Sequence, residues 1–223
     1  ALHRFATDVV MDEDRICGVI TESKSGRAAF LADVVIDCTG DGDVSYRAGV
    51  PCEKGRPGDG LMQPATLFFM LGNAKFELPD KPTAYSMITN AATEAGLDYE
   101  IPYKEPAFMP LPLTDHVLVQ LTHVYGVDGT NADDLTRAEI EARKQTHDAL
   151  ELFRNHISAF AGVELVQTGV QIGIRETRRI KGLYELTEED LLEGRAFPDG
   201  ICWVEFGIDI HSLKPPWEKG AYE

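Results

Sequence analysis

The sequence predicts an α/β protein of mixed, α+β character. Two observations carry that prediction. Strand-length apolar runs recur over residues 5–38, 65–71, 117–125 and 163–175. Helical spacing of apolar residues holds over residues 133–162 and near 84–95, so runs of strands are interrupted by helices.

Phe5–Met11, Ile16–Thr21 and Ala28–Leu31, separated by Asp12-Glu13-Asp14 and Ser23-Lys24-Ser25-Gly26, read as a β-meander. Val34–Cys38 is a short β-branched run, the kind covered on both faces in a parallel sheet. It ends abruptly in Thr39-Gly40-Asp41-Gly42-Asp43. In open α/β sheets ligands sit beyond the carboxyl ends of strands. Glycines there permit close backbone approach or a sharp turn. Val44–Ala48 starts a short helix that Gly49-Val50-Pro51 stops.

Residues 53–64, EKGRPGDGLMQP, form a Gly/Pro-rich loop of the length that is usually functional or mobile. Ala65–Leu71 reads as a second apolar strand. Residues 74–116 are rich in proline and turns, with one helix near Ala84–Ala95. Val117–Tyr125 reads as a strand. Asp133–Gly162 is the clearest helix, with Thr136 and Glu139 spaced as a capping box. Val163–Arg175 reads as a long strand with Val170, Ile172 and Ile174 on one face. Thr187 and Asp190 cap a helix over Glu188–Glu193, and Ile201–Ile210 is a last strand that ends at His211.

The 223 residues make one large domain or two small ones. The net charge is −16, which argues against a nucleic-acid surface and against docking on anionic lipid. No apolar run approaches the ~20 residues that span a bilayer. Cys17, Cys38, Cys52 and Cys202 are too scattered for a zinc or iron–sulfur site, and reduced thiols of this kind indicate a cytoplasmic protein. The chain starts at Ala1 without a Met and stops with no closing helix, so it reads as a piece of a longer protein.

Three groups of residues are candidates for chemistry. Asp37, Asp41 and Asp43 lie close together, but their spacing does not fit a calcium loop, and a nucleotide or flavin suits the turn better than a metal. Backbone N–H groups at Gly40–Asp43 would approach a phosphate at the start of a helix, or an acidic side chain would accept a hydrogen bond from a ribityl or ribose hydroxyl. The competing reading is a tight strand-to-helix turn and nothing more. The second group is Gly173-Ile174-Arg175-Glu176-Thr177-Arg178-Arg179-Ile180. Arginine grips carboxylate and phosphate through a planar fork, but in an acidic chain it also simply pairs with neighbouring carboxylates. Third, His211 follows a strand, where a general acid or base would sit, while His116 and His123 flank another strand. No complete GxGxxG, P-loop or nucleophile elbow occurs.

The order of the meander, ADVVIDCTGDGD, AGVPCEKGRPGDGLMQPATLFF, IGIRETRRIKGLYELTEEDLLEGRAFPDGI and FGIDIHS resembles the FAD-dependent oxidoreductase family related to the heterodisulfide reductase A subunit. The resemblance covers nearly the whole chain and is weakest over residues 74–165. It implies part of a glutathione-reductase-like, two-domain FAD fold without its N-terminal Rossmann GxGxxG unit and its C-terminal flavin-closing segment. The implied divisions are residues 1–64 in the FAD-binding domain, 65–210 in an inserted substrate domain with a mixed sheet, and 211–223 returning to the first. It implies Thr39, Gly40, Asp41, Gly42, Asp43, Gln63 and Glu176 at the cofactor FAD. Arg175, Arg178 and His211 would serve the substrate and proton transfer. Some relatives carry iron–sulfur clusters, but this chain lacks the closely spaced cysteines a cluster needs, so neither a cluster nor a metal is expected here. The expected activity passes hydride or electron pairs between a small, anionic organic substrate and flavin, with a redox partner protein as a further expectation. The alternative is a non-catalytic binding or assembly module that docks a redox partner.

Overall fold

The computed structural model describes residues 1–205, 207 and 209–215. It divides into two compact units, residues 1–55 with 178–209, and residues 56–177 with 210–223. All strand pairing among the described residues is antiparallel, within a mixed α/β composition of three sheets and four α-helices.

In the first unit, β1 (Phe5–Asp12), β2 (Arg15–Glu22) and β3 (Ala28–Leu31) form the expected meander, paired in sequence order. The strand expected next is absent. Ala32 N–H still donates to Cys17 O at 3.0 Å and Arg15 donates to Asp33 O at 2.8 Å, after which the chain leaves the sheet. Val34 and Ile36 are 76% and 79% exposed. β-Branched residues favour an extended backbone, but a strand needs a neighbour to pair with. None pairs with residues 34–38 among the described residues, so the expected parallel strand is not formed.

α1 (Asp43–Arg47) follows the acidic turn. β4 (Cys52–Lys54) then pairs with β9 (Arg178–Ile180), with Lys54 opposite Arg178 and Cys52 opposite Ile180. That pairing explains why residues 178–209, which the sequence reading gave to the inserted unit, cluster with the first unit. α4 (Glu188–Leu192) carries the expected capping box, with Thr187 and Asp190 each bonding the other's backbone N–H. No strand forms among the described residues of 201–210; Phe206 and Ile208 lie outside them, as do residues 216–223 of the expected return segment.

The second unit is built on a four-stranded antiparallel sheet in the order β6-β7-β5-β8, where β5 is Phe69–Gly72, β6 Ala107–Pro110, β7 Val117–Gln120 and β8 Glu164–Thr168. α2 (Lys81–Glu94) and α3 (Ala132–His156) bury one face each in a core that includes Phe69, Leu71, Ile88, Val119, Phe153 and Phe160. The expected mixed sheet is therefore a purely antiparallel one.

The strands are shorter than their apolar runs for a local reason. The buried Thr122 hydroxyl accepts from Leu67 N–H at 2.8 Å and donates to Leu67 O at 2.9 Å. A side chain replaces the backbone ladder at this point, and pairing resumes as a single bridge between Ala65 and Val124. Likewise the expected strand 163–175 ends at Thr168. Val170 is exposed, and Gly173 returns to bridge Thr66.

α3 begins five residues before the expected capping box. Asn131 is its N-cap, and its side-chain oxygen accepts from Asp133 and Asp134 N–H at 2.9 and 3.2 Å. Thr136 lies inside the helix and donates to Ala132 O, while Glu139 accepts from Ile172 N–H. Asn131→Ala is expected to lower unfolding stability by about 1 kcal/mol, whereas Thr136→Ala leaves it within about 0.5 kcal/mol, as read by urea denaturation. The reverse order would restore the capping box at Thr136.

Candidate functional site

The acidic turn is organised by a residue that the sequence reading weighed only as a metal ligand. The Asp37 carboxylate accepts four hydrogen bonds: from Thr39 N–H at 3.0 Å, Thr39 Oγ1 at 2.6 Å, Ser45 N–H at 2.8 Å and Ser45 Oγ at 2.7 Å. Partial burial raises its pKa, but these donors outweigh the burial and hold it at about 2. Thr39 Oγ1 in turn accepts from Asp43 N–H at 2.7 Å, and Gly42 N–H donates to Thr39 O. Aspartate followed two residues later by a threonine is the local signal that would have revealed this turn.

These bonds change what the turn can offer a ligand. The N–H groups of Thr39, Gly42 and Asp43 are spent inside it, and α1 has only five residues. The expected presentation of several backbone N–H groups to a phosphate is therefore not what this turn is built for.

The two glycines have separate roles. Gly42 adopts φ +62, and a Cβ there would lie 2.8 Å from Ile180 Cδ1, so backbone conformation and packing both require glycine. Gly40 has an ordinary φ, and a Cβ added to it would meet no atom within 4 Å. Its backbone is open to an approaching group.

Arg178 joins the arginine block to this turn, from 135 residues away. One guanidinium nitrogen donates to Asp43 Oδ1 at 2.7 Å and to Asp41 O at 3.1 Å, and the group lies 4.2 Å from the Tyr46 ring centroid. Its side chain is only 9% exposed, and its Nε has no hydrogen-bond partner among the described residues. Charge-assisted bonds and a cation–π contact of about 1 kcal/mol together fix the turn against β9. Arg178 thus holds the turn rather than reaching outwards.

The remaining predicted residues gather within the second unit. Gln63 N–H donates to Glu176 Oε2 at 3.1 Å, and Gln63 Oε1 accepts from His211 N–H at 2.9 Å. His211 Nδ1 lies 3.0 Å from His123 Nε2, and both rings are buried. Tyr103 stacks on His123 with centroids 4.2 Å apart and planes 15° from parallel. Gln145 clasps the His123 backbone from both sides. Burial above all, with His211 and Arg175 adding to it, pushes the His123 pKa down to about 3, so the ring is neutral. Arg175 donates to the buried Thr66 hydroxyl at 3.1 Å. His116 stands apart, partly exposed beside Asp115. Sequence spacing gave no sign of the Tyr103–His123–His211 stack, which spans 108 residues. Among the described residues no group of three or more ligating side chains could hold a metal ion, and no helix is long and apolar enough to cross a membrane.

Two outcomes follow for the turn. Asp37 is more acidic folded than unfolded, so its ionised form stabilises the fold. That contribution is complete above about pH 4 and disappears as pH falls towards about 2. Asp37→Asn should lower stability at pH 7 by on the order of 2 kcal/mol, with the gap to wild type closing between about pH 4 and 2 in acid-denaturation curves. Gly42→Ala should cost about 1–2 kcal/mol from strain and collision with Ile180, measured by thermal or urea unfolding.

Comparison with known proteins adds the chemistry. No curated protein and no solved structure matches the chain. A family model described as FAD dependent oxidoreductase matches residues 1–222. The cofactor is therefore FAD and the chemistry is flavin redox. The acidic turn, the arginine block and the residues between them all fall within that match, and the chain belongs to the FAD dependent oxidoreductase family.

Proposed function

We propose that the turn Thr39–Asp43, fixed by Arg178, forms one wall of the FAD site and contacts the ribityl chain. The single observation that carries this reading is the openness of the Gly40 backbone in a turn held by Asp37, Thr39 and Arg178. The residues fit a hydroxylated chain better than a pyrophosphate. Asp41 and Asp43 put carboxylates at the turn, and three backbone N–H groups are already committed. A carboxylate repels phosphate and accepts hydrogen bonds from hydroxyls.

When bound, FAD supplies the two-electron chemistry, and the protein supplies orientation and charge. Hydride or electron pairs would pass between a small organic substrate and the flavin. Of the two arginines expected to hold an anionic substrate group, Arg178 grips Asp43 and Asp41 O, and the role is assigned to Arg175, which also donates to Thr66. Glu176 positions the Gln63 backbone, and Gln63 positions His211. His211 is the residue placed to move a proton, with the neutral His123 ring as its neighbour.

Relation to the heterodisulfide reductase A subunit and a glutathione-reductase-like frame are part of this reading, supported by the order of the TGDGD and RETRR blocks. Cys17, Cys38, Cys52 and Cys202 are all free thiols, which supports a reducing compartment such as the cytoplasm. A redox partner protein completes the proposal as an electron acceptor.

Gly40→Val tests the ribityl wall without touching the fold. The added side chain starts in open space, so unfolding stability should change by less than about 0.5 kcal/mol. Flavin retained by the purified full-length protein, read from its oxidised absorbance, should fall at least about tenfold. Wild-type flavin content in Gly40→Val would remove the turn from the site, and a full-length wild-type protein that neither carries nor takes up FAD would remove the whole proposal.

A further inference from the structure

A cavity of about 410 Å³ lies within the second unit. Three polar atoms on its lining residues are buried and have no hydrogen-bond partner among the described residues: Tyr99 OH, Tyr125 OH and His123 Nδ1. His123 is 1% exposed. Buried polar groups are almost always paired, and leaving one unpaired costs about 1–3 kcal/mol. Three such groups at one cavity are unusual, and they mark a place where partners come from a ligand.

The chemistry of the lining narrows the ligand. Burial first, and then the nearby Asp148 or Glu100 carboxylate, raises the pKa of the Tyr99 and Tyr125 phenols, so both remain protonated donors. His123 is neutral and its Nδ1 adds one further polar site. Glu100 and Glu141 add acceptors on the same lining, against a single cation, Lys104. An anion would face two carboxylates and one ammonium, and a purely apolar molecule would leave the phenols and imidazole unpaired. Tyr85 joins Tyr99 and Tyr125 in offering aromatic surface for C–H groups. The volume lies in the range of small-molecule pockets, on the order of 300–1,000 Å³.

From this arrangement we propose that the second unit carries a binding site for a neutral, polyhydroxylated small molecule of the sugar or cyclitol class. All of the residues that line it belong to the second unit. Tyr99 and Tyr125 donate to ligand hydroxyls, Glu100 and Glu141 accept from them, and His123 fixes one further hydroxyl through Nδ1.

The test is calorimetric titration of the full chain with a panel of neutral hexoses, pentoses and myo-inositol. Gluconate and glucosamine serve as charged relatives of one member. At least one neutral compound should bind saturably with Kd below about 5 mM, and gluconate should bind at least about tenfold more weakly. Tyr99→Phe and Tyr125→Phe keep the rings and delete only the hydroxyls. Each should weaken binding about tenfold while the thermal midpoint of the ligand-free protein stays level or rises, because an unpaired buried hydroxyl has been removed. Absence of saturable binding by every neutral compound, tighter binding of gluconate, or unchanged affinity in both phenylalanine variants would each overturn the proposal. These readings measure sugar binding and not flavin content or turnover, so they separate this site from the flavin proposal.

Discussion

The grip of Arg178 on the turn at residues 39–43 is the interaction on which the first unit depends. Two stretches 135 residues apart must meet for Asp43 Oδ1 and Asp41 O to share one guanidinium nitrogen. The β4–β9 pairing brings them together, and Ile180 fills the space where a Gly42 side chain would stand. Asp37 works from the other side of the turn through Thr39 and Ser45. Held at both ends, the turn leaves the backbone at Gly40 open, and that is the surface the flavin reading needs.

The second unit solves a different problem. Its sheet is short, and buried side chains take over where backbone pairing stops. Thr122 satisfies both backbone groups of Leu67, and Gln145 does the same for His123. Gln63 links Glu176 to His211 through its backbone N–H and its side chain. These hydrogen bonds are what make the polar groups tolerable in a buried setting. The phenols of Tyr99 and Tyr125 and the Nδ1 edge of His123, without partners among the described residues, stand out against that background.

What could be read from the sequence was what local chemistry decides. The meander followed from alternation and turn residues, and the α4 cap followed from Thr187 and Asp190 three positions apart. The acidic turn and the arginine block were both recognisable as unusual. Their union was not, because an arginine's partner 135 residues away leaves no periodic trace. Apolar content misled where pairing decides the outcome. Val34–Cys38 has strand composition and no paired neighbour, and Ala65–Leu71 and Val117–Tyr125 are interrupted by one threonine hydroxyl. Capping residues misled at Thr136, where Asn131 five positions earlier had already started the helix. The glycines of the turn looked alike in sequence and differ in kind, because only their three-dimensional neighbours separate Gly42, packed on Ile180, from Gly40, facing open space.

The central claim, that Arg178 and Asp43 jointly hold the turn, is tested most directly by a double-mutant cycle in the full-length protein. Arg178→Met, Asp43→Asn and the double variant would be compared by urea denaturation. A coupling energy of at least about 1 kcal/mol is expected, since the two groups share one charge-assisted bond on a largely buried side chain. Additive effects, with coupling within about 0.3 kcal/mol of zero, would mean that the turn stands without Arg178.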